Sequence, residues 1–224
     1  MRLAAIETSS DWCSVALWAD GEVAGIARRA PNRHSDLALP MLERLLKENR
    51  IQLKELQAIA FGAGPGSFTG LRIACGLAQG LALARELPVI GVASFEAVAE
   101  EAAPEDGARV AACIDARMSE IYYCALERRA GAWQEVLAGQ CVAPAAAALP
   151  PGDGWIGAGS GFAAYPDLFK NLPVKRPEIF PSARAVARLA APRLAAGEGV
   201  DAAQAAPVYL RDKVAYTKAE LATR

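Results

Sequence analysis

Two short stretches bring together side chains suited to handling a phosphate. Glu7-Thr8-Ser9-Ser10-Asp11 sets three hydroxyls beside acidic residues at the end of an apolar run. Such a tip can hold a phosphate or its metal ion, and it can equally satisfy its own backbone. Asp115-Ala116-Arg117-Met118-Ser119-Glu120 repeats the arrangement in the second half, again with an acid where an apolar run stops. Each half also carries a glycine-rich turn: Gly62-Ala63-Gly64-Pro65-Gly66-Ser67-Phe68-Thr69-Gly70-Leu71-Arg72, and Gly157-Ala158-Gly159-Ser160-Gly161. A turn opening a helix offers free N–H groups and the positive end of the helix dipole to an anion. The first is not a Walker loop, because Gly70 is followed by Leu71 and Arg72 rather than by Lys and a hydroxyl residue. Close packing of helix on strand explains the same glycines, and the two readings stand side by side.

Other chemistries are narrowed by count. The only histidine is His34, read as a surface residue at a helix start. A zinc or iron site built on two histidines is therefore excluded, as is a His-dependent triad that does not use His34. The five cysteines, Cys13, Cys75, Cys113, Cys124 and Cys141, are scattered and never form C-x-x-C. They suggest neither a disulfide framework nor a zinc knuckle, and four of them read as small core residues.

The elements that must position these residues follow from periodicity. Residues 3–6, 13–18 and 22–28 read as strands of a meander, with Asp20-Gly21 as a two-residue turn. A helix is expected over 35–49, with Ser35 or Asp36 as its N-cap and Pro40 in the first turn or at a kink. At helical spacing its Leu37, Ala38, Leu39, Met41, Leu42, Leu45 and Leu46 cover roughly 200° of arc, about twice the stripe of a one-sided surface helix. Residues 56–61 form the strand entering the first glycine turn, and 69–85 the helix leaving it, capped by Ser67 or Thr69. That helix is apolar or small on nearly every side except Arg72 and Gln79, which predicts burial almost all round. Its Gly76 and Gly80 each cost about 1 kcal/mol relative to Ala while allowing close approach of another helix. Two adjacent helices with surplus apolar surface point to an oligomer interface, the alternative being a helix sandwiched within this chain alone. A strand at 88–91 and a helix at 94–102 precede a break at 104–107. The second half reads as strands at 109–114, 121–126, 136–142 and 155–158, a short helix at 143–149, a helix at 182–196, an extended stretch at 206–211 and a weakly specified end. The pattern is α/β: two duplicated lobes facing a cleft, 1–103 joined by 206–224, and 104–205.

The bulk numbers agree with a filled core. The chain has 224 residues, 53% of them hydrophobic, and a mean hydropathy of +0.16. A net charge of −1, a pI near 6.0 and the lack of any Lys/Arg stripe argue against a direct grip on a nucleic-acid backbone. Glu7 interrupts the N-terminal apolar run, and no stretch is apolar enough for a membrane helix, so a cytoplasmic location is expected.

Ile6-Glu7-Thr8-Ser9-Ser10, the glycine turn through Ile73, Asp115-Ala116-Arg117 and Pro207-Val208-Tyr209-Leu210-Arg211 stand in an order and spacing that resembles the TsaB (YeaZ) family. The resemblance covers essentially the whole chain. It implies an actin-like (ASKHA, ribonuclease H-like) fold with mixed sheets and flanking helices. It further implies a non-catalytic scaffold role in forming N6-threonylcarbamoyladenosine at position 37 of tRNAs reading codons that begin with A. In that role the chain pairs with its paralogue TsaD, recruits the ATPase TsaE, meets tRNA only through the complex, and forms a homodimer when alone. TsaD-like relatives carry a His-x-x-x-His metal pair after a Gly-Val dipeptide. Here Ser94 and Val98 follow Gly91-Val92, so no metal and no peptidase activity are expected. Actin-like ATPases place glycines after the second-lobe acid, where this chain has Ala116-Arg117-Met118. A degenerate or partner-completed ATP or ADP pocket is then expected, drawn from Glu7, Thr8, Ser9, Asp115, Arg117, Gly157, Gly159 and Ser160, with Arg117 alternatively contacting a partner or an anion. The expected partner face comprises Leu39, Leu42, Leu46, Leu71, Arg72, Cys75, Ala78, Gln79 and Ala82, with the glycine turn aiming its second helix. The competing reading is a small ATP-dependent phosphotransferase or ATPase using Glu7, Thr8 and Asp115.

Overall fold

The computed structural model describes residues 1–211. Its first sheet pairs β1 (Arg2–Glu7) antiparallel with β2 (Trp12–Ala19), and β2 antiparallel with β3 (Glu22–Arg29). On the other side β1 runs parallel to β4 (Ala58–Gly64), and β4 parallel to β5 (Val89–Ala93). The second sheet repeats this pattern with β6 (Arg109–Asp115), β7 (Ile121–Arg129), β8 (Ala132–Val142), β9 (Trp155–Ala158) and β10 (Val174–Arg176). The orders are β3-β2-β1-β4-β5 and β10-β9-β6-β7-β8, so each strand has a counterpart in the other sheet. Asp20-Gly21 and Ala130-Gly131 make the equivalent hairpin turns, with positive φ at both central residues, the geometry that matches strand twist. The duplicated α/β architecture expected from the two similar halves is present.

Among the described residues, five α-helices clothe the sheets. Helices α1 (His34–Glu48) and α2 (Phe68–Leu83) cover one face of the first sheet, where Ala38, Met41, Leu42, Leu45, Ala74 and Ala78 pack on Ala4, Ile6, Ile59 and Phe61. Helices α3 (Ser94–Ala102) and α5 (Ala183–Ala195) lie between the sheets in a core holding Leu3, Ala5, Phe95, Val98, Val110, Leu126, Val186 and Ala190. The short α4 (Gly161–Ala164) packs on β6 and β9. Helix α5 rests on β1, β2, β3, β4 and β5, while α3 touches β6, β7 and β9. Helix α5 thus packs on the first sheet although it falls within 104–205, and α3 touches strands of both sheets. Alanines at 183, 185, 187, 190 and 191, all buried, let α5 lie flush on the first sheet. Ser14 accepts the N–H of Ala183 and Ser182 accepts that of Ala185, fixing where α5 starts.

Several local expectations change. Helix α1 starts one residue early, at His34, with Arg33 at the N-cap position, so neither Ser35 nor Asp36 caps it, and Pro40 falls in its second turn. His34 is buried, not superficial. The alanine run 143–149 makes only one 3-10 turn, Pro144–Ala146, because a segment this short between Pro144 and Pro150 cannot nucleate a stable helix. Strand β10, three residues long, has too little pattern to be read. Helix α2 is not buried all round; one side is open. Residues from 213 onward lie outside the described residues. No helix among the described residues is long and apolar enough to cross a membrane.

Candidate functional site

The C-terminal ends of β1 and β6 face each other across an interlobe cavity of about 1180 Å³. Of the residues expected to form a nucleotide site, Ser9, Asp115, Arg117, Gly159 and Ser160 line it. Glu7, Thr8 and Gly157 do not. The Glu7 carboxyl lies instead over Gly62 of neighbouring β4, where the glycine leaves room for it. A Cβ at Gly62 would sit 1.6 Å from Glu7 Oε2. Burial pushes the Glu7 carboxyl up to about 7, against the pull of hydrogen bonds from Ser9 and Thr8. Its Oε1 accepts from the Ser9 N–H, and its Oε2 has no hydrogen-bond partner among the described residues. Thr8 is equally enclosed, donating its hydroxyl to the Gly70 carbonyl at 2.7 Å. Gly157 underlies Phe162, whose ring would meet a Cβ there at 2.6 Å.

These contacts explain the first glycine turn. The Ser67 N–H donates to the Ser9 carbonyl at 2.7 Å, a Cβ on Gly66 would lie 2.5 Å from that same oxygen, and one on Gly70 would lie 1.9 Å from the Thr8 carbonyl. The acid-hydroxyl tip and the glycine turn are thus packed into each other, backbone on backbone. The Ser67 hydroxyl accepts from the Gly70 N–H, capping α2 as the sequence suggests.

The second lobe treats its acid differently. After Asp115 the residues Arg117, Met118 and Ser119 all adopt positive φ, at 59°, 56° and 61°. Non-glycine residues occupy that region at roughly 1 kcal/mol each, so neighbouring contacts must hold them there. Asp115 accepts the Arg117 N–H at 2.9 Å, and Arg211 donates to the Arg117 carbonyl and to Glu120. The Arg117 guanidinium lies 3.1 Å from Asp115 and 3.7 Å from Asp11, placing a cation between the acids of the two lobes. Sequence reasoning passed over Asp11, although it sits in the first tip. It also passed over Phe180, which stacks on Trp12 with centroids 4.3 Å apart and planes 5° from parallel. No local signal marks Phe180, because only the fold brings the 177–181 linker to the first hairpin.

The helix face separates into two sets. Leu42, Leu46, Leu71, Cys75, Ala78 and Ala82 are buried in this chain's own core, so they cannot be an open face. Leu39 is 37% exposed, Arg72 is exposed, and Gln79 is half-buried with its amide donating to the Ala205 carbonyl. The open side of α2 comprises Thr69, Arg72, Gly76, Gly80 and Leu83, the last 71% exposed. A Cβ added at Gly76 or Gly80 would meet nothing within 4 Å among the described residues. The tail runs along the start of this helix: the Val208 N–H donates to the Ala63 carbonyl, and Arg72 sits 3.6 Å over the Phe68 ring while donating to the Tyr209 hydroxyl.

Residues 26–219 match the family described as TsaD, tRNA N6-adenosine threonylcarbamoyltransferase. The tRNA threonylcarbamoyladenosine biosynthesis protein TsaB of Escherichia coli (strain K12) is 41% identical over 97% of this chain and 98% of its own. The protein of the same name from Haemophilus influenzae is 33% identical over 97% of each. The solved structure of YeaZ from Pseudomonas aeruginosa superposes with a TM-score of 0.88 at 39% identity, covering 93% of this chain and 99% of that one.

Proposed function

The chain belongs to the TsaB (YeaZ) family of tRNA threonylcarbamoyladenosine biosynthesis proteins, and from that membership we propose that it is a non-catalytic, cytoplasmic subunit for formation of N6-threonylcarbamoyladenosine at position 37 of tRNAs reading codons that begin with A. It pairs with TsaD through the open side of α2 and the adjoining edge of α1, forms a homodimer through the same face when TsaD is absent, and contributes to recruiting TsaE. The observation that carries this reading is the open stripe of α2. Gly76 and Gly80 leave helix backbone uncovered between Arg72 and Leu83, Leu39 of α1 is partly exposed, and nothing among the described residues fills the space over the two glycines. Small residues of this kind let a second helix approach closely.

The non-catalytic part of the reading is supported by the cleft. The first-lobe acid is enclosed against Gly62, and Arg117, paired with Asp11 and Asp115, stands between the tips. Any weak or partner-completed ATP or ADP binding has to accommodate that guanidinium. Ser94, one of the two positions where TsaD-like relatives carry histidine, is enclosed with its hydroxyl 3.2 Å from that of Ser9.

Co-purification with TsaD tests the face. Gly76→Arg and Gly80→Arg place a long side chain on an exposed helix where helix propensity rises by about 1 kcal/mol, so folding is retained. Each is expected to weaken capture of TsaD at least about 30-fold, the equivalent of ~2 kcal/mol. Capture at the wild-type level by both folded variants would remove α2 from the interface. Leu42 and Ala78 are unsuitable for this test, since both are core residues.

A further inference from the structure

Residues 205–211 form one extended segment that touches α2 at its start and the tip after β6 at its end. The Ala205 carbonyl accepts from the Gln79 amide at 3.0 Å and from the Cys75 thiol. Val208 lies against the first glycine turn, with its N–H donating to the Ala63 carbonyl at 2.7 Å. The Tyr209 ring stands 5.4 Å from that of Phe68, and its hydroxyl accepts from Arg72 at 3.2 Å. Leu210 packs against the core between the sheets. Arg211, its side chain only 13% exposed, reaches the second lobe, where it donates to Glu120 and to the Arg117 carbonyl and lies 5.8 Å over the Tyr122 ring.

The tip that Arg211 grips is under load. Arg117, Met118 and Ser119 are three successive non-glycine residues at positive φ, a conformation that L side chains leave when nothing holds them there. Inside the tip the Arg117 N–H is held by Asp115, and the Glu120 N–H donates to the Arg117 carbonyl at 3.0 Å. Arg211 adds a charge-assisted contact to that same carbonyl from a mostly buried guanidinium, which outweighs an exposed pair such as Arg117 with Asp11. At the other end of the segment, Arg72 and Gln79 border the open side of α2 and can be reached from outside. Tyr209 and Arg211 are two residues apart, a span of at most about 7 Å, so one anchor cannot shift far without pulling on the other.

We propose that residues 205–211 are a strap that ties the placement of Arg117 in the cleft to the α2 face. With Arg72 and Gln79 on the strap, the tip is held in its loaded form. A partner that engages those two side chains loosens the strap, the tip relaxes, and the Arg117 guanidinium withdraws from Asp11. Use of the strap by a partner rests on the reading of α2 as the docking face, whereas the link between its two ends belongs to the free chain.

Hydrogen exchange in the free full chain tests that link, read at the Arg117 and Glu120 amides. Arg211→Ala, which removes the grip itself, should speed both at least about tenfold, the scale of one lost charge-assisted hydrogen bond. Arg72→Ala and Tyr209→Ala act only at the far end and should each speed the same two amides about threefold. The Arg128 N–H, which donates to the Ala108 carbonyl at 2.9 Å elsewhere in the second lobe, should keep its rate in all three variants. Unchanged exchange at Arg117 and Glu120 in Arg72→Ala and Tyr209→Ala overturns the strap, as does an equal acceleration at Arg128, which would mark general loosening. Capture of TsaD by Gly80→Arg judges the face separately. Lost capture with unchanged tip exchange in Arg72→Ala overturns the strap alone; retained capture with accelerated tip exchange overturns the face alone.

Discussion

Glu7 and Asp115 occupy the same position in the two sheets, the last residue of the central strand, yet the protein uses them in opposite ways. Glu7 is fully enclosed, turned onto the backbone of Gly62 and held near neutrality by burial, up to about 7. Asp115 faces the cavity, accepts the Arg117 N–H and pairs with its guanidinium. One duplicated topology has thus converted one tip into core and left the other in the cleft. The difference lies in the neighbours. On the first side a glycine stands beside the acid on the adjacent parallel strand, and the following hydroxyl residues lock onto the α2 turn. On the second side the acid is followed by three residues of positive φ that project side chains instead of closing over it.

Breaking the first tip should have the largest effect. Gly62→Ala drives a methyl group into the Glu7 carboxyl and should cost roughly 3–5 kcal/mol in urea unfolding, the range for overpacking combined with a displaced buried polar group. In a Glu7→Ala background the same substitution should cost far less; equal costs in both backgrounds would dissolve the claimed contact.

Titration gives the next effect. The unfolded Glu7 releases its proton near 4.5 and the folded one near 7, so between these values the folded state binds more protons. Its stabilising contribution is therefore complete below about pH 4.5 and lost as pH rises through 7, on the order of 3 kcal/mol in all. Glu7→Gln should flatten that slope in unfolding measurements made from pH 4.5 to 8. An unchanged slope would mean that Glu7 is solvated and that the two tips are alike.

The second tip should respond least. Arg117→Gly loses two exposed ion pairs worth at most about 1 kcal/mol together, and it relieves a positive φ worth a similar amount. Thermal unfolding should therefore move by no more than the equivalent of about 1 kcal/mol. A loss beyond about 2 kcal/mol would make Arg117 a structural clamp of the lobes and erase the contrast.

Much of this was legible before any coordinates. The alternation in residues 13–18, the Asp20-Gly21 turn and the cap at Ser67 follow local rules, and the repeated acid at a strand end announced the duplication. The functional positions were legible only in part. Leu42 and Ala78 read as surplus apolar surface, but they are answered by this chain's own sheet, whereas the open stripe rests on Gly76 and Gly80, whose missing side chains carry no hydropathy signal. His34 read as superficial because a polar residue at a helix start is ordinarily solvated, and only the tertiary fold buries it.

The sequence by itself determined the duplicated α/β organisation, most of its strands and its longer helices, the lack of a second histidine for a two-histidine metal site, and the family. These depend on residue types and on spacings of a few positions, where sterics and periodicity act locally. Tertiary structure alone decided that Glu7 and Thr8 close the first tip rather than line the cleft, and that α5 returns to the first sheet. It alone decided which side of α2 stays open. Each of these is fixed by what a distant segment places within a few ångströms, and close packing makes such neighbours decisive.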